Sequence, residues 1–429
     1  MFAALMTTRR FAPMFWCQFL SAFNDNFVRQ MLAMLLIFRL GGDDVGSKVT
    51  LAVGVFVLPS ILLSALGGEI ADASDKALIA RRLKLAEIGV QAIAALGFVL
   101  ASLPLLYLAV FGLGVLSSLF GPIKYGILPD HLRREELVAG NALVEGATFA
   151  AIILGLVVGG YAAAEGRSPV SVVIQLAIVA IACYFTARFI PATHVAAPGL
   201  RPRANVFAST RDILRELRRD DRQWVGAIAV SWFWAVGAVA LSLVPVVIKA
   251  RIGAGIEVET AVNVLFAVGI AIGSLLAAVL AHGRIKIAPA PYYLVAMAVF
   301  LIDLGLSTGA LPQASREIGL GEFFESAAGL RIIVDVVGLA AFAGLFVVPV
   351  FAAVQSWSGE DRRARVVGGV NTLNSIYMVG GTIATLILKM IGLSEPGVLI
   401  ALGIASVAMA GWLAWRLPAA STLTTQPAL

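Results

Sequence analysis

Val53-Gly-Val-Phe-Val-Leu-Pro-Ser-Ile-Leu-Leu-Ser-Ala-Leu-Gly-Gly68-Glu-Ile-Ala-Asp72-Ala-Ser-Asp-Lys76 decides what kind of protein this is. Its first part has no charge, yet contains Gly54 and Pro59. Its end packs Glu69, Asp72, Asp75 and Lys76 into one short stretch. A continuous apolar run that stops at a charged loop reads as a membrane-spanning helix, which needs roughly 20 apolar residues. Glycine and proline are tolerated there because neighbouring helices re-satisfy the backbone. The whole chain shares this character. Hydrophobic residues make up 60%, charged residues 14%, and mean hydropathy is +0.93. Soluble domains run near half apolar and about a quarter charged.

Working outward, further runs fall near 12–38, 49–70, 83–103, 105–129, 138–164 and 169–190. After a polar stretch come 223–249, 260–281, 289–311, 330–355, 366–390 and 395–416. The expected fold is an all-α membrane protein with 12 transmembrane helices in two six-helix bundles. Residues 1–190 form the first bundle, 191–222 a basic linker, and 223–429 the second bundle. The first run is too long for a secretory signal, and eleven more follow.

The halves resemble each other. Val53-Gly-Val-Phe-Val-Leu-Pro-Ser-Ile-Leu-Leu63 matches Val268-Gly-Ile-Ala-Ile-Gly-Ser-Leu-Leu276 in character. Arg134 precedes Asn141-Ala-Leu143 as Arg363 precedes Asn371-Thr-Leu373. The matches pair the second run with the eighth and the fifth with the eleventh. Duplicated six-helix halves of this kind describe the major facilitator architecture.

Lysines and arginines set the orientation. One side, with both termini and the linker, collects 21 of them against 7 on the other, which holds Arg39, Lys48, Arg167, Lys249, Arg251, Arg316 and Lys389. Both termini and the linker are therefore expected in the cytoplasm. Within the linker, Arg211, Arg215, Arg218 and Arg222 recur at helical spacing. That pattern suits an interfacial amphipathic helix on anionic headgroups, or a solvated tether.

Several function classes drop out. Cys17 and Cys183 both lie in apolar runs, which disfavours a disulfide framework or metal cluster. The sequence has no P-loop, dinucleotide fingerprint or nucleophile elbow. No enzyme, cofactor or metal is expected. The net charge of +6 reflects the cytoplasmic bias and not nucleic-acid binding.

Charges inside apolar runs are the candidate functional residues, because they are expensive there. The first run carries Asn24, Asp25, Asn26 and Arg29 at its middle, and Asp25 and Arg29 share a face and can pair. Lys124, with Tyr125 beside it, lies late in the fourth run, and Glu145 lies early in the fifth. Each is on the order of 7–10 Å inside the same end. Lys124 and Glu145 either form a structural salt bridge, or Lys124 faces the central cavity as a phosphate ligand. Asn141 precedes Glu145 by one turn, and Asn371 and Asn374 share a face of the eleventh run. Arg331 and Asp335 read as another four-apart pair, and Asp303 as a lone acid near the outer surface.

Gly68-Glu-Ile-Ala-Asp72-Ala-Ser-Asp-Lys76 resembles the major facilitator loop signature Gly-x-Leu-Ala-Asp-Arg-x-Gly-Arg-Lys. Ala73 and Asp75 stand where the signature has arginine and glycine. The resemblance implies that Gly68, Asp72 and Lys76 form a conformational latch.

Gln18-Phe-Leu-Ser-Ala-Phe-Asn-Asp-Asn26, Phe120-Gly-Pro-Ile-Lys-Tyr-Gly-Ile-Leu-Pro129 and Asn141-Ala-Leu-Val-Glu145 with Ala151-Ile-Ile-Leu-Gly155 resemble the bacterial lysophospholipid transporter family of that superfamily. The resemblance covers essentially the whole chain, with its specific motifs in the first half, and departs at Val28-Arg29-Gln30. It also extends to the membrane portion of proteins fused to a phospholipid acyltransferase and an acyl-carrier-protein synthetase. It implies inward flipping of lysophospholipids, notably lysophosphatidylethanolamine, across the bacterial inner membrane for reacylation. On that reading Lys124 or Arg29 holds phosphate, and Asp25 or Glu145 meets the ammonium. The implied partners are membrane lipids and a soluble acyltransferase or acyl-ACP synthetase, with the transporter a monomer. Two other readings stay open: a proton-coupled exporter of drugs or small polar solutes, and a scaffold that recruits an acyltransferase.

Overall fold

The computed structural model describes residues 2–36, 45–162 and 169–421. Arg39 and Arg167, two of the cations expected on the outer side, lie outside the described residues. Twelve long helices run through the described chain. In the first half they are α1 (Ala12–Leu35), α2 (Val45–Asp72), α3 (Lys76–Val99), α4 (Leu103–Gly126), α5 (Leu137–Ala162) and α6 (Pro169–Arg188). In the second half they are α7 (Asp221–Ile252), α8 (Ile256–Ala281), α9 (Ala290–Gly309), α10 (Ala327–Trp357), α11 (Arg363–Met390) and α12 (Glu395–Ser421). A shorter linker helix spans Val206–Arg219. Among the described residues, ten helices are long and apolar enough to cross a membrane; α1 and α3, the more polar pair, are the other two long ones.

α3 starts at Lys76, well before the expected 83. Asp75 caps it, its Oδ1 accepting from the Ala77 N–H at 2.9 Å. The cations at 76, 81, 82 and 84 suggested a loop, but they sit on helical turns. Asp220 caps α7 in the same way, accepting from the N–H groups of Arg222 and Gln223. Such caps satisfy the orphan donors of a helix start and stabilise it by about 1 kcal/mol.

The chain divides into two compact units. The first holds Met1–Gly140, Ala147–Leu217 and Ser358–Ser375. The second holds Asn141–Gly146, Arg218–Trp357 and Ile376–Leu429. Each therefore borrows a short piece of a helix from the other sequence half.

In the first unit, α2 packs on α4, and α3 on α4 and α6. Phe27, Val28, Met31 and Leu32 of α1 meet Leu106, Ala109, Val110 and Leu113 of α4 in one apolar core. In a bilayer such contacts are held by close packing, since lipid tails are as apolar as leucine. Gly155 and Gly159 of α5 permit that closeness. A Cβ there would lie 2.6 Å from the Phe23 carbonyl and 2.7 Å from that of Phe27. In the second unit α8 packs on α10, and α9 on α10 and α12.

The linker forms a helix, and its apolar face is covered by protein. Its Ser209, Ile213 and Leu217 are buried against protein. A Cβ at Gly369 would meet Leu217 and Ile213 side chains, so this helix rests directly on α11. Its arginines point away from that contact and remain largely exposed.

Candidate functional site

At the linker end of the first unit, the last turn of α2 and the loop after it distribute their acids among three partners. Asp72, fully buried, accepts from the Ala364 and Arg365 N–H groups, each at 3.0 Å, and from Arg365 Nε at 3.2 Å. It thus caps the start of α11 from outside that helix, where the N–H groups point and the helix dipole favours an anion. Gly68 makes room: a Cβ there would lie 2.6 Å from the Ala364 carbonyl oxygen. Glu69 accepts from the Arg203 N–H at 2.9 Å and the Ser209 hydroxyl at 2.7 Å, which fastens the linker. Asp75 accepts from the Thr193 N–H at 3.0 Å. Lys76 is buried and pairs with Asp130 at 2.8 Å, and Arg363 approaches the same carboxylate at 3.5 Å. Outside the membrane-spanning segments, the Arg203 guanidinium holds the exposed Asp212 carboxyl below its ordinary value.

The polar middle of α1 is arranged differently from the expected Asp25–Arg29 pair. The Arg29 guanidinium donates to the Asn26 side-chain carbonyl, and its Nε to the Asp25 main-chain oxygen at 3.1 Å. The guanidinium also lies over the Phe56 ring, 4.2 Å from its centroid. A carboxylate two bonds from the backbone and a long guanidinium one turn on do not meet here. The short Asn26 amide, three residues back, intercepts the arginine first. Asp25 is buried, with Ser117 of α4 beside it.

Asn24 turns to α3. Its Nδ2 donates to Glu87 Oε1 at 2.8 Å, and Glu87 pairs with Lys84 at 2.6 Å. Lys84 also donates to the Ser21 hydroxyl at 2.5 Å and lies 4.1 Å from the Phe120 ring centroid. Sequence reasoning missed Glu87 and took Lys84 for a loop cation. The available signal was the spacing of Lys84, Glu87 and Gln91, which puts all three on one helical face.

The remaining candidates are spread over both units. Lys124 is half-buried, its ammonium 4.6 Å from the centroid of the buried Tyr125 ring. Asn371 lies against α4 one turn before Lys124, since a Cβ at Gly121 would fall 2.7 Å from its Nδ2. Asn374 is buried one turn further along α11. These four belong to the first unit. Asn141 and Glu145, both buried, belong to the second. There Asn141 and Gln355 exchange amide hydrogen bonds of 2.7 and 3.1 Å. Gln355 had not been singled out.

Two expectations for the second half are corrected. Asp303 is not alone, because Arg331 forks it through Nε at 2.9 Å and a terminal nitrogen at 2.5 Å. Arg331 accordingly does not pair with Asp335, whose Oδ2 is buried without a hydrogen-bond partner among the described residues. A planar guanidinium gains more from a bidentate carboxylate on a neighbouring helix than from a single contact along its own.

Comparison with known proteins fits this architecture. A curated relative from Enterobacter sp. (strain 638), a lysophospholipid transporter, is 29% identical over 383 residues, covering 86% of this chain and 85% of its own. A second lysophospholipid transporter, from Cronobacter sakazakii, is 28% identical, covering 93% and 94%. Among solved structures, the human organic anion transporter MFSD10 matches with a TM-score of 0.72 at 14% identity, over 94% of this chain and 99% of its own. A bacterial homologue of the iron transporter ferroportin, in an outward-facing state, matches at 0.66 and 16%, over 95% and 99%. These two likenesses concern the fold alone. The family model of the Major Facilitator Superfamily matches residues 14–338, and with twelve long helices in the described chain the protein belongs to that superfamily.

Proposed function

We propose that this protein is a lysophospholipid transporter that moves lysophospholipids, notably lysophosphatidylethanolamine, inward across the bacterial inner membrane. One observation carries the reading: α1 holds an acid and a cation, one turn apart, that form no salt bridge with each other. Arg29 is bonded to an amide and a main-chain carbonyl. Asp25 has no ion-pair partner among the described residues. A zwitterionic headgroup brings a phosphate and an ammonium separated by a short link, and the two α1 charges match them with opposite sign. Charge-assisted bonds of this kind are about twice as strong as neutral ones. Within the same unit Lys124 with Tyr125, and Asn371 with Asn374, extend the polar lining, and Asn141 and Glu145 are the candidate ligands of the second unit. The apolar remainder of the helices suits the single acyl chain. The names of the curated relatives support the same substrate class.

Transport proceeds by alternating access, with the halves 1–190 and 223–429 rocking about the site and 191–222 joining them. Lipid enters sideways from the outer leaflet. Both termini and the linker lie in the cytoplasm on this reading, which the arginine bias supports. The product then reaches a soluble acyltransferase or acyl-ACP synthetase for reacylation, and the transporter works as a monomer.

The test is purified protein in vesicles with fluorescent lysophospholipid. Flipping that is competed by unlabelled lysophosphatidylethanolamine supports the reading. No flipping, together with export of small solutes driven by a pH gradient, sinks it and favours a proton-coupled exporter.

A further inference from the structure

The Lys84–Glu87 pair lies outside the headgroup face just described. Lys84, Glu87 and Gln91 are 1%, 1% and 2% exposed. They occupy one face of α3, turned toward Ser21 and Asn24 of α1. A buried ion pair is poor evidence for stability, because well-packed apolar residues often do as well. Its attested use is to fix one arrangement among several. The question is which arrangement.

α1 turns about 100° per residue. Ser21 and Asn24 therefore share one face, toward α3, while Asp25 and Arg29 share the adjoining face. Ser117 of α4 lies beside Asp25, and Phe56 of α2 lies under Arg29. A rotation of α1 by one residue would carry Asp25 to the place Asn24 now holds, against the Glu87 carboxylate that pairs with Lys84. The Asn24 bond to Glu87 would be lost, two carboxylates would face each other in the core, and the headgroup face would lose its acid.

We propose that Glu87 is a positioning residue for the headgroup site. It occupies Lys84 and accepts from Asn24, which fixes the rotation of α1 so that Asp25 and Arg29 face away from α3. It touches no substrate. The proposal rests on the functional reading above for its transport consequence, but not for its geometry.

Two double variants separate the hydrogen bond from the charges. Lys84→Met with Glu87→Gln is neutral and keeps an acceptor for Asn24. Lys84→Met with Glu87→Met is neutral and has none. Both are purified, checked by melting temperature, and assayed in vesicles with fluorescent lysophosphatidylethanolamine. The first variant keeps a wild-type KM. The second raises KM up to about tenfold with kcat little changed, the effect of one neutral hydrogen bond. Asn24→Leu, which leaves the ion pair in place, gives the same rise and serves if the second variant does not fold.

A second readout needs no substrate. Arg29→Cys is placed in each background and its reaction rate with a water-soluble thiol reagent is measured; Cys17 and Cys183 are both buried. The rate is unchanged with Gln at 87 and altered severalfold with Met at 87 or Leu at 24. Equal KM values and equal rates in all backgrounds overturn the proposal. A Gln variant as impaired as the Met variant also overturns it, since charge and not the Asn24 bond would then matter. If the wild-type protein flips no lysophospholipid, the functional reading fails and the thiol rates alone decide the positioning role.

Discussion

Asp72→Asn replaces one hydrogen-bond-accepting oxygen with an NH2 group and removes the charge, with almost no change of shape. In the native protein Oδ1 accepts from the Ala364 N–H and Oδ2 from the Arg365 N–H and guanidinium. Asparagine keeps one acceptor but turns an NH2 group toward two donors. The lost helix cap is worth about 1 kcal/mol. The lost charge-assisted bonding adds about 1.5–3 kcal/mol. Because one carboxylate makes all these bonds, the sum, about 2.5–4 kcal/mol, is an upper figure. It corresponds to two to three powers of ten in the equilibrium between held and released α11 start. Hydrogen–deuterium exchange measures this directly. The Ala364 and Arg365 amides lose roughly a hundred- to a thousandfold in protection, while amides in the middle of α4 stay as they were. If the residue is a latch, the variant also shifts which conformation is favoured at rest, and transport rate changes with it. Unchanged protection at residues 364 and 365 in a normally folded variant would refute the reasoning.

Further expectations follow from the same geometry. Lys124→Ala lowers flipping at least tenfold and Lys124→Arg much less, and the double variant Lys124→Ala with Glu145→Gln folds but stays inactive; recovery of flipping in the double variant would make that pair structural. Asp303→Asn serves as a control and transports normally, because its half-exposed pair with Arg331 is worth about 0–1 kcal/mol. A cysteine at the exposed Phe207 resists labelling from the periplasmic side of intact cells, a better reporter than the buried Ser209; efficient labelling there would reverse the orientation. A protonophore leaves lysophospholipid flipping in vesicles largely intact, and complete loss would promote proton coupling.

The helices were legible because uninterrupted apolarity over about 20 residues has no soluble explanation. Asp25 and Arg29 stood out for the same reason, being charges with apolar neighbours on both sides. Lys84 and Glu87 did not, because Lys76, Arg81 and Arg82 just before them make the start of α3 look like a loop. Their burial depends on α1 and α4 packing over that face, which no local pattern reports. The partner of Asp303 was hidden for a related reason. Arg331 is 28 residues away and on another helix, while Asp335 offered a nearer and wrong choice. The linker's arginine spacing revealed a helix but not its seat, since Glu69 and Gly369 come from distant segments.

The placement of Lys84 and Glu87 three residues apart on one helix has a consequence for biogenesis. A nascent segment enters the bilayer through the translocon before later helices exist. On the insertion scale each charge near a helix centre costs about 2.5–3.5 kcal/mol, and α3 carries one of each sign. Because these two belong to the same segment, they can close on each other within a single turn of α3 as it forms. The segment then enters as a locally neutral unit. α1, synthesised earlier, is already in the membrane and presents Ser21 and Asn24 to receive it. Had the acid been placed on a helix made later, α3 would have to cross with an uncompensated ammonium and wait.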